Sequence, residues 1–418
     1  MRPIVGLVLA GGGGEALSVL TTERAVSAVP FGGKYRVIDY VLSNCCHSEI
    51  SRLGVLTQHA PASLHDHIGA GRPWGFDQRG GGVHILQPYL TRSESQWYLG
   101  TAHAIARNWD LIEHLGAARV LVLSGDQVYR MDYRRLILAH ERRGAVATLA
   151  VTRVPPEETH RYGMVRFDFD GRVTHLEEKP KRTEATHASM GVYLFETAAL
   201  GERLRDNPAD MVEGVLKPML EAGEEVFAWE FDGYWEDVGT VASYYRANLE
   251  LVAPSPRLEL YNPRWPVLTR DEERPPLNLR DGADVEESLI ANGCLVAGRV
   301  RRSVLFPGVV VEPGAEISDS IVMQDVVVGP GGRVDRAILD KHASVGEGAV
   351  VGWGEAPRGA AHAWLGGLTL VGKDAQIPAL ARVGRSVVVG IHASFDGCPL
   401  EVTAGTVLPS RAWYEGVL

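Results

Sequence analysis

The sequence predicts an α/β domain with a mostly parallel sheet, followed by a parallel β-helix of hexapeptide repeats. Short apolar runs alternate with helical patterns from residue 4 to about residue 245, which is typical of strand-helix-strand units. After about residue 250, apolar positions recur every 17 residues. That period contains steps near six, so it indicates coils made of three short strands and three corners.

Three apolar runs predict strands of the sheet: Ile4 to Leu9, Gly54 to Leu56 and Val120 to Leu123. Thr101 to Leu115 has helical spacing. Parallel sheets bind ligands beyond the carboxyl ends of their strands. The loops that follow Leu9 and Leu123 are therefore the first places to expect functional residues.

The β-helix prediction depends on apolar residues and turns that repeat together. Val304, Ile321 and Ile338 lie 17 residues apart, and such coils must stack to bury their apolar interior. An antiparallel sandwich with coincidental spacing is the alternative. An insertion from about residue 353 to 367 precedes a resumed six-residue step. The supporting positions are Val300, Ile317, Val334 and Val351, the turns Pro313-Gly314, Pro330-Gly331 and Glu347-Gly348, and the resumed Ile377, Val383 and Val389.

These patterns predict three segments. Residues 1–250 form the first domain, residues 251–285 a proline-rich linker and residues 286–418 the β-helix. A chain of 418 residues is long enough for two or three domains. The hydrophobic share of 45% and the charged share of 22% exclude a disordered chain.

Charge and composition exclude several classes of partner. Lys plus Arg number 42 and Asp plus Glu number 52, and a net charge of -10 argues against a general nucleic-acid or anionic-membrane surface. No apolar run reaches the length of a membrane span, and we expect the N-terminus to be mature protein. Four cysteines without a CxxC motif predict neither a zinc site nor a disulfide framework, which fits a reducing cytoplasm. Those cysteines are Cys45, Cys46, Cys294 and Cys398.

Four histidines, His59, His65, His67 and His84, lie close together in the sequence. Their spacing matches no convincing metal-ligand pattern. We therefore expect them in surface loops.

A glycine-rich loop, Leu9 to Gly14, follows the first predicted strand and precedes a helical pattern. Glycines in this position let backbone N–H groups approach a phosphate or a nucleobase. The loop lacks the Gly-Lys-Ser/Thr ending of a P-loop, and it does not match the dinucleotide fingerprint. By itself, the pattern fits a flexible turn equally well.

The segment Ala28 to Cys45, with sequence AVPFGGKYRVIDYVLSNC, closely resembles the N-terminal signature of bacterial glucose-1-phosphate adenylyltransferases. This family is also called the ADP-glucose pyrophosphorylases. Further segments match the family in its order, and the resemblance covers nearly the whole chain. These segments are Trp97 to Ala102, Ser124 to Asp126, Glu178 to Pro180, Ser189 to Gly191, Tyr234 to Thr240 and Trp265-Pro266.

The resemblance implies a Rossmann-like nucleotidyltransferase domain followed by a left-handed β-helix. It also implies the conversion of ATP and glucose 1-phosphate into ADP-glucose and pyrophosphate, in glycogen- or starch-type glucan synthesis. The family further suggests a homotetramer, or a heterotetramer with a catalytic paralogue.

Residue roles follow from the same resemblance. Asp126 and Asp237 would hold Mg²⁺, for which carboxylates are suitable ligands, and Lys179 would fix the sugar's phosphate as a point charge. Without the resemblance, Asp126 fits a strand-end turn, Asp237 a helix N-cap and Lys179 a solvated surface group. The implied sugar-phosphate contacts are Tyr98, Gly163, Glu178, Lys179 and Ser189; the nucleotide contacts are Leu9, Ala10, Gly11, Gly12, Gly100 and Thr101; the possible effector contacts are Lys34 and Arg36.

The chain departs from the family on the triphosphate side. Ala16 stands where the family has the arginine of its glycine loop, Glu15 adds a negative charge, and Val26 replaces a lysine. Removing one charge contact of this kind typically costs roughly 10²- to 10³-fold in rate. Changes also fall near the expected adenine site. Tyr89 or Leu90 replaces a glutamine, Leu99 a frequent arginine and His103 a frequent aspartate.

These departures leave two main hypotheses. The chain is either an active but weakened glucose-1-phosphate adenylyltransferase, rescued by a cation such as Arg24 or Lys34, or a non-catalytic regulatory subunit. Such a subunit would sense sugar phosphate or nucleotide and modulate a catalytic paralogue. A pyrophosphorylase for another nucleotide or sugar is the third possibility.

Overall fold

The computed structural model consists of two compact units. Met1–Gly12 and Ile38–Trp235 form the first unit; Gly13–Val37 and Glu236–Leu418 form the second. Within the described residues, no helix combines the length and apolar character that a membrane span requires. The structure describes residues 3–78, 81–89, 97–357, 360–395 and 400–410.

The first unit is built on a mixed sheet that has nine strands in the described residues, in the order β7-β6-β8-β4-β1-β2-β3, with β5 paired to β8 and β9 paired to β5. Strands β4, β1, β2 and β3 run parallel, whereas β8 runs antiparallel to β4. The strands are β1 Ile4–Leu9, β2 Arg52–Leu56, β3 Gly82–Leu86, β4 Arg119–Ser124, β5 Ala147–Arg153, β6 Gly163–Phe167, β7 Val173–Glu178, β8 His187–Glu196 and β9 Val226–Glu230.

This arrangement confirms the predicted fold class and all three predicted strands. Val5, Leu7, Val120 and Val122 are fully buried, because the parallel strands are covered on both faces. The helices are α1 Val37–His47, α2 Ala62–Ile68, α3 Thr101–Ala106, α4 Trp109–His114, α5 Tyr133–Arg143, α6 Thr197–Leu204 and α7 Lys217–Glu221, with α8 Val241–Glu250 in the second unit.

The helix expected over Thr101 to Leu115 is two short helices, α3 and α4. The break comes at Asn108, whose side-chain amide donates to the carbonyl of Ala104 at 2.8 Å. An asparagine that bonds to the backbone in this way competes with the continuing helix.

The second unit contains three sheets of short parallel strands, which confirms the predicted hexapeptide β-helix. Val304 pairs with Ile321, and Ile321 pairs with Ile338, so the 17-residue period is the register of one coil on the next. Gly331 and Gly348 lie at corners with φ of 63°, where a side chain would be strained.

Beyond the insertion the stack continues, because Val345 pairs with Ile377 and Val351 with Val383. The first paired strand begins at Asn278, before the predicted start at residue 286.

One sheet contains Asn278–Leu279, Leu295–Val296, Val310–Val311, Val327–Val328, Ser344–Val345 and Gln376–Ile377. The second contains Asp284–Glu286, Arg299–Arg301, Glu316–Ser318, Arg333–Asp335, Val350–Trp353, Arg382–Gly384 and Glu401–Val402. The third contains Leu289–Ile290, Val304–Leu305, Ile321–Val322, Ala337–Leu339, Thr369–Val371, Val388–Val389 and Val407–Leu408.

Candidate active site

The glycine loop leaves the carboxyl end of β1 between the ends of its two neighbouring strands. Ala10 N donates to Leu56 O at 2.8 Å, and Gly125 N donates to Leu9 O at 2.9 Å. A Cβ atom on Gly11 would lie 3.2 Å from the Cβ atom of Gln58, whereas one on Gly12 would meet open space. Gly11 therefore allows a close backbone approach, and Gly12 leaves the loop open for a ligand.

Asp126 lies beside this loop, two residues after β4 ends. Ser124 Oγ donates to Asp126 Oδ1 at 2.5 Å. A Cβ atom on Gly191, in β8, would lie 3.0 Å from the Cβ atom of Ser124. The carboxylate of Asp126 is therefore fixed at the carboxyl edge of the sheet, close to the loop that follows β1.

Gln58 contacts both the glycine loop and the backbone of Tyr98. The sequence did not predict this residue. Tyr98 N donates to Gln58 Oε1 at 2.6 Å, and Gln58 Nε2 donates to Tyr98 O at 3.4 Å. Asn108 Nδ2 donates to the hydroxyl of Tyr98 at 2.9 Å, and burial raises the pKa of Tyr98. The only signal for Gln58 in the sequence is its place just after a predicted strand.

Gly100 and Thr101 pack against a neighbouring turn. A Cβ atom on Gly100 would lie 2.4 Å from the carbonyl oxygen of Ala209, so a side chain has no room there. Thr101 Oγ1 accepts a hydrogen bond from Met211 N at 3.2 Å. The intervening Asp210 was also missed, and its Oδ1 accepts from Val212 N at 2.7 Å.

The structure brings Gly163, Glu178, Lys179 and Ser189 together on β6, β7 and β8. Gly163 pairs with Glu178 across β6 and β7, and a Cβ atom on Gly163 would lie 2.9 Å from Glu178 Oε2 and 3.9 Å from Ser189 Cβ. Lys179 Nζ lies 3.6 Å from Glu178 Oε1. We call these four residues the hexose cluster, after the sugar contacts that the family resemblance implies for them.

Burial raises the pKa of Glu178, the charge of Lys179 opposes that shift, and the charge of Asp210 adds to it. Ser189 Oγ donates to the hydroxyl of Tyr193 at 3.0 Å, and burial raises the pKa of Tyr193 to about 12. Lys179 has a φ of 44°, uncommon for a residue with a side chain, and its ammonium is largely exposed. The cluster therefore combines donors, acceptors and one accessible cation.

Asp237 belongs to the second unit, at the end of the short strand Trp235–Asp237. Gly239 N donates to Asp237 Oδ1 at 2.8 Å. The N-cap of α8 is Thr240, which forms a capping box with Ser243. The alternative role of Asp237 as the N-cap is therefore not what the structure shows.

The second unit also holds the segment that departs from the family pattern. Ala16 and Glu15 are exposed, whereas Val26 is buried, and a Cβ atom on Gly14 would overlap a methyl group of Val26 at 2.1 Å. Arg24 is buried and forms a bidentate pair with the fully buried Asp340, at 2.9 and 2.8 Å. The suggestion that Arg24 replaces the missing cations is therefore wrong, because its guanidinium is committed to Asp340.

Lys34 and Arg36 also belong to the second unit. Lys34 lines a pocket of about 320 Å³ together with Arg270 and Arg274, and its Nζ lies 3.3 Å from Asp271. Burial and the neighbouring charges of Arg36 and Arg24 lower the pKa of Lys341 to about 8.

The residues expected near adenine lie on the first unit. The hydroxyl of Tyr89 donates to Arg107 O at 3.4 Å, and the guanidinium of Arg107 lies 5.6 Å from the centre of the Tyr89 ring. His103 Nδ1 accepts from Leu99 N at 3.1 Å. Leu90 lies outside the described residues.

Cys45, Cys46 and Cys294 are free thiols, and Cys398 lies outside the described residues. In the part of the chain that the structure describes, no three histidine, cysteine or carboxylate side chains form a metal-binding group.

Comparison with known proteins decides the family. The family model described as nucleotidyl transferase matches residues 5–253, and the model described as GlmU-like, C-terminal hexapeptide matches residues 278–363. A glucose-1-phosphate adenylyltransferase from Thermomicrobium roseum is 48% identical over 98% of this chain and 97% of its own. The chain belongs to the glucose-1-phosphate adenylyltransferase family.

Other relatives of that name are similar over the same extent. The glucose-1-phosphate adenylyltransferase from Thermotoga maritima is 47% identical over 94% of this chain and 95% of its own, and the one from Fervidobacterium nodosum is 40% identical over 93% and 96%. The similarity to these adenylyltransferases therefore extends over nearly the full length of this chain, through both the nine-stranded sheet and the β-helix coils.

Proposed function

We propose that this chain is a glucose-1-phosphate adenylyltransferase that turns over slowly. It would convert ATP and glucose 1-phosphate into ADP-glucose and pyrophosphate. The observation that carries the proposal is the common edge of the first unit's sheet. There the glycine loop and Asp126 follow the adjacent strands β1 and β4, and the hexose cluster lies on the strands beyond β4 and just after them. A nucleotide and a sugar phosphate fit beside each other along such an edge.

The reaction requires no protein nucleophile. An oxygen of the glucose 1-phosphate phosphate attacks the α-phosphorus of ATP, the bond from the α-phosphorus to the bridging oxygen of the β-phosphate breaks, and pyrophosphate leaves. Lys179 would hold the attacking phosphate as a point charge, while Glu178 and Ser189 would bind sugar hydroxyls. Tyr98 would contact the sugar phosphate, and the backbone of Leu9 to Gly12, together with Gly100 and Thr101, would contact the nucleotide.

We propose Mg²⁺ as the divalent metal of the family's reaction in this chain. Asp126 lies two residues after the parallel strand β4 and Asp237 ends a short strand, and carboxylate oxygens are the hard ligands that Mg²⁺ prefers. The donor set therefore fits the ion. When bound, Mg²⁺ would neutralise charge on the triphosphate.

A second candidate function is a non-catalytic subunit that senses sugar phosphate or nucleotide and modulates a catalytic paralogue in a tetramer. The segment Gly13–Val37 favours it, because Ala16 offers no charge, Val26 is buried and Arg24 is bound to Asp340. The hexose cluster is unaffected by those replacements, so a subunit of this kind would still bind glucose 1-phosphate.

We also propose Lys34 and Arg36 as effector contacts. The support is the pocket that Lys34 shares with Arg270 and Arg274, and the positive charge of Arg36 near Lys341. A phosphorylated effector in this pocket would meet Lys34, Arg270 and Arg274, and it would compete for them with the carboxylates of Asp271 and Glu272. Replacing Lys34 by alanine should remove any activation by sugar phosphates other than the substrate, and unchanged activation would contradict this assignment.

Two measurements on the same preparation test the proposed function. Calorimetry with glucose 1-phosphate alone reports the hexose cluster, and pyrophosphate release with ATP and Mg²⁺ reports catalysis. Binding with slow turnover that Asp126→Asn abolishes is the expected result. Binding without any turnover favours the regulatory subunit, and no binding of glucose 1-phosphate contradicts both.

A further inference from the structure

One corner of the β-helix stacks Gln324, Lys341 and Lys373 in successive coils. The strands that precede Gln324 and Lys341 pair in register, and His342 N donates to Gln324 O at 2.9 Å. Asp374 N donates to Lys341 O at 3.0 Å, which continues the corner into the coil that carries Lys373. Neighbouring coils lie about 4.8 Å apart, so the side chain of a lysine on one coil can reach the next.

Lys341 has no counter-ion of its own at this corner. Its ammonium group forms no ion pair with any carboxylate that the structure describes, whereas Lys373 pairs with Glu23 at 2.8 Å. The carboxylate of the adjacent Asp340 already accepts two hydrogen bonds from Arg24 and one from the backbone N–H of Lys341. Lys341 is therefore a cation beside a carboxylate that another cation occupies.

The surroundings of Lys341 favour its neutral amine. Burial and the charges of Arg36 and Arg24 lower the pKa of Lys341 to about 8, against the opposing charges of Asp340 and Glu272. A neutral amine has a free electron pair and is a nucleophile. Near pH 8, a large part of Lys341 is thus able to react with an electrophile.

The preceding coil supplies an acceptor that lacks a donor. Gln324 is buried, and its Oε1 atom accepts no hydrogen bond from the described part of the chain. A buried acceptor without a partner is unfavourable. A modification of Lys341 that keeps one N–H and adds a negative charge would offer a donor to Gln324 and balance the charges of Arg24 and Arg36.

We propose that Lys341 reacts with carbon dioxide and forms a carbamate. The electron pair of the amine attacks the carbon atom, a C–N bond forms, and the electron pair of one C=O bond moves to its oxygen. The nitrogen releases one proton to water, so amine and carbon dioxide give a carbamate anion and a proton without any oxidant or reductant. The remaining N–H donates to Gln324 Oε1, and the charges of Arg36 and Arg24 stabilise the carbamate anion.

Carbon dioxide suits this corner better than a larger acyl donor. Lys341 is only partly exposed, and carbon dioxide is small and uncharged, so it can approach an amine among cations. A charged effector would instead bind here without a covalent bond. Detection of the C–N bond therefore distinguishes the carbamate from a bound anion.

Carbon NMR of the full chain with isotopically labelled carbon dioxide, at about pH 8, tests this proposal. Wild type should show a carbamate signal, and alkylation of the carbamate followed by mass spectrometry should place it on Lys341. Lys341→Arg should lose this signal, and Gln324→Leu should weaken carbamate formation roughly 2- to 10-fold, as the loss of one hydrogen bond does. Lys373→Arg is the matched control, because Lys373 occupies the same corner but is paired with Glu23.

Carbon dioxide should also raise the unfolding temperature of wild type but not that of Lys341→Arg, because the carbamate stabilises only the folded state. A wild-type protein whose Lys341 carries no labelled carbamate would overturn the proposal, and so would a signal that Lys341→Arg retains. Circular dichroism shows whether each variant is folded, and the mass spectrum of wild type decides the question without any variant. None of these readouts uses catalysis, so a failure of the proposed adenylyltransferase activity would leave the result on Lys341 unchanged.

Discussion

The hexose cluster and the segment Gly13–Val37 differ in the charges that they offer to a ligand. In the cluster, Glu178, Lys179 and Ser189 retain polar groups that a sugar phosphate requires. In the segment, the positions of two family cations hold Ala16 and Val26, and the remaining arginine is buried against Asp340. Under the proposed function, this chain would therefore keep the groups that bind the sugar phosphate while it lacks cations on the triphosphate side.

The largest expected effect concerns stability in that segment. Arg24→Met leaves the buried carboxylate of Asp340 without its guanidinium, which should lower the free energy of unfolding of the second unit by about 3–5 kcal/mol. Urea denaturation checks this. Arg302→Met removes a bidentate pair of the same type with the partly exposed Asp319 and should cost less than about 1 kcal/mol. Equal losses in the two variants would mean that the burial of Arg24 does not matter.

The next effect concerns the hexose cluster. Lys179→Ala removes the accessible cation and should weaken glucose 1-phosphate binding roughly 10- to 100-fold, because hydrogen bonds to charged groups are worth about 1.5–3 kcal/mol. ATP binding should not change. Calorimetry with each ligand checks this, and Lys181→Ala, an exposed lysine nearby, is the control. If Lys179→Ala lost affinity for ATP instead, Lys179 would bind the nucleotide and not the sugar phosphate, which would contradict the prediction.

The smallest expected effect is a pH dependence of stability. It comes from His140, a buried residue of α5 that contacts Thr148 near the start of β5. His140 Nδ1 lies 2.8 Å from Thr148 Oγ1, and burial lowers the pKa of His140 below 6.5. The folded state therefore binds this proton less readily than the unfolded state. The contribution of His140 to stability is present above pH 6.5 and is lost as the pH falls below that value.

Denaturation midpoints between pH 5 and 8 measure that dependence. His140→Asn should flatten the acidic part of the profile without changing glucose 1-phosphate binding at pH 7.5. The exposed His114, at the end of α4, supplies the control His114→Asn, which should keep the wild-type profile. An unchanged profile in His140→Asn would assign the acid sensitivity to other groups.

The sequence predicts the parts of the fold that depend on local pattern. The coils follow from the 17-residue spacing of Val304, Ile321 and Ile338, since each coil repeats the register of the last. The apolar run Ile4 to Leu9 predicts the strand Ile4–Leu9, and the glycines that follow it predict the loop. At the break between α3 and α4, the side chain of Asn108 donates to the carbonyl of Ala104 and to the hydroxyl of Tyr98, and periodicity does not reveal these contacts.

Contacts between distant residues are what the sequence does not predict. Arg24 and Asp340 are 316 positions apart, and nothing around either residue indicates the other. The same holds for Gln58 with Tyr98, which are 40 positions apart, and for His65 with Gln87, which are 22 positions apart. His65, expected as a surface-loop histidine, is instead a helical residue with two polar neighbours. The tertiary fold, and not the local sequence, determines which of these distant residues come into contact.

The most direct test of the proposed loss of charge is pyrophosphate release by Ala16→Arg compared with wild type, at saturating ATP, glucose 1-phosphate and Mg²⁺. Ala16 is exposed, so arginine should fit there without disturbing the fold, whereas Val26→Lys, added second, places a charge in a buried position. We expect Ala16→Arg to release pyrophosphate roughly 10²-fold faster or more, with an unchanged affinity for glucose 1-phosphate. A restored variant that binds both substrates and is no faster than wild type would contradict it.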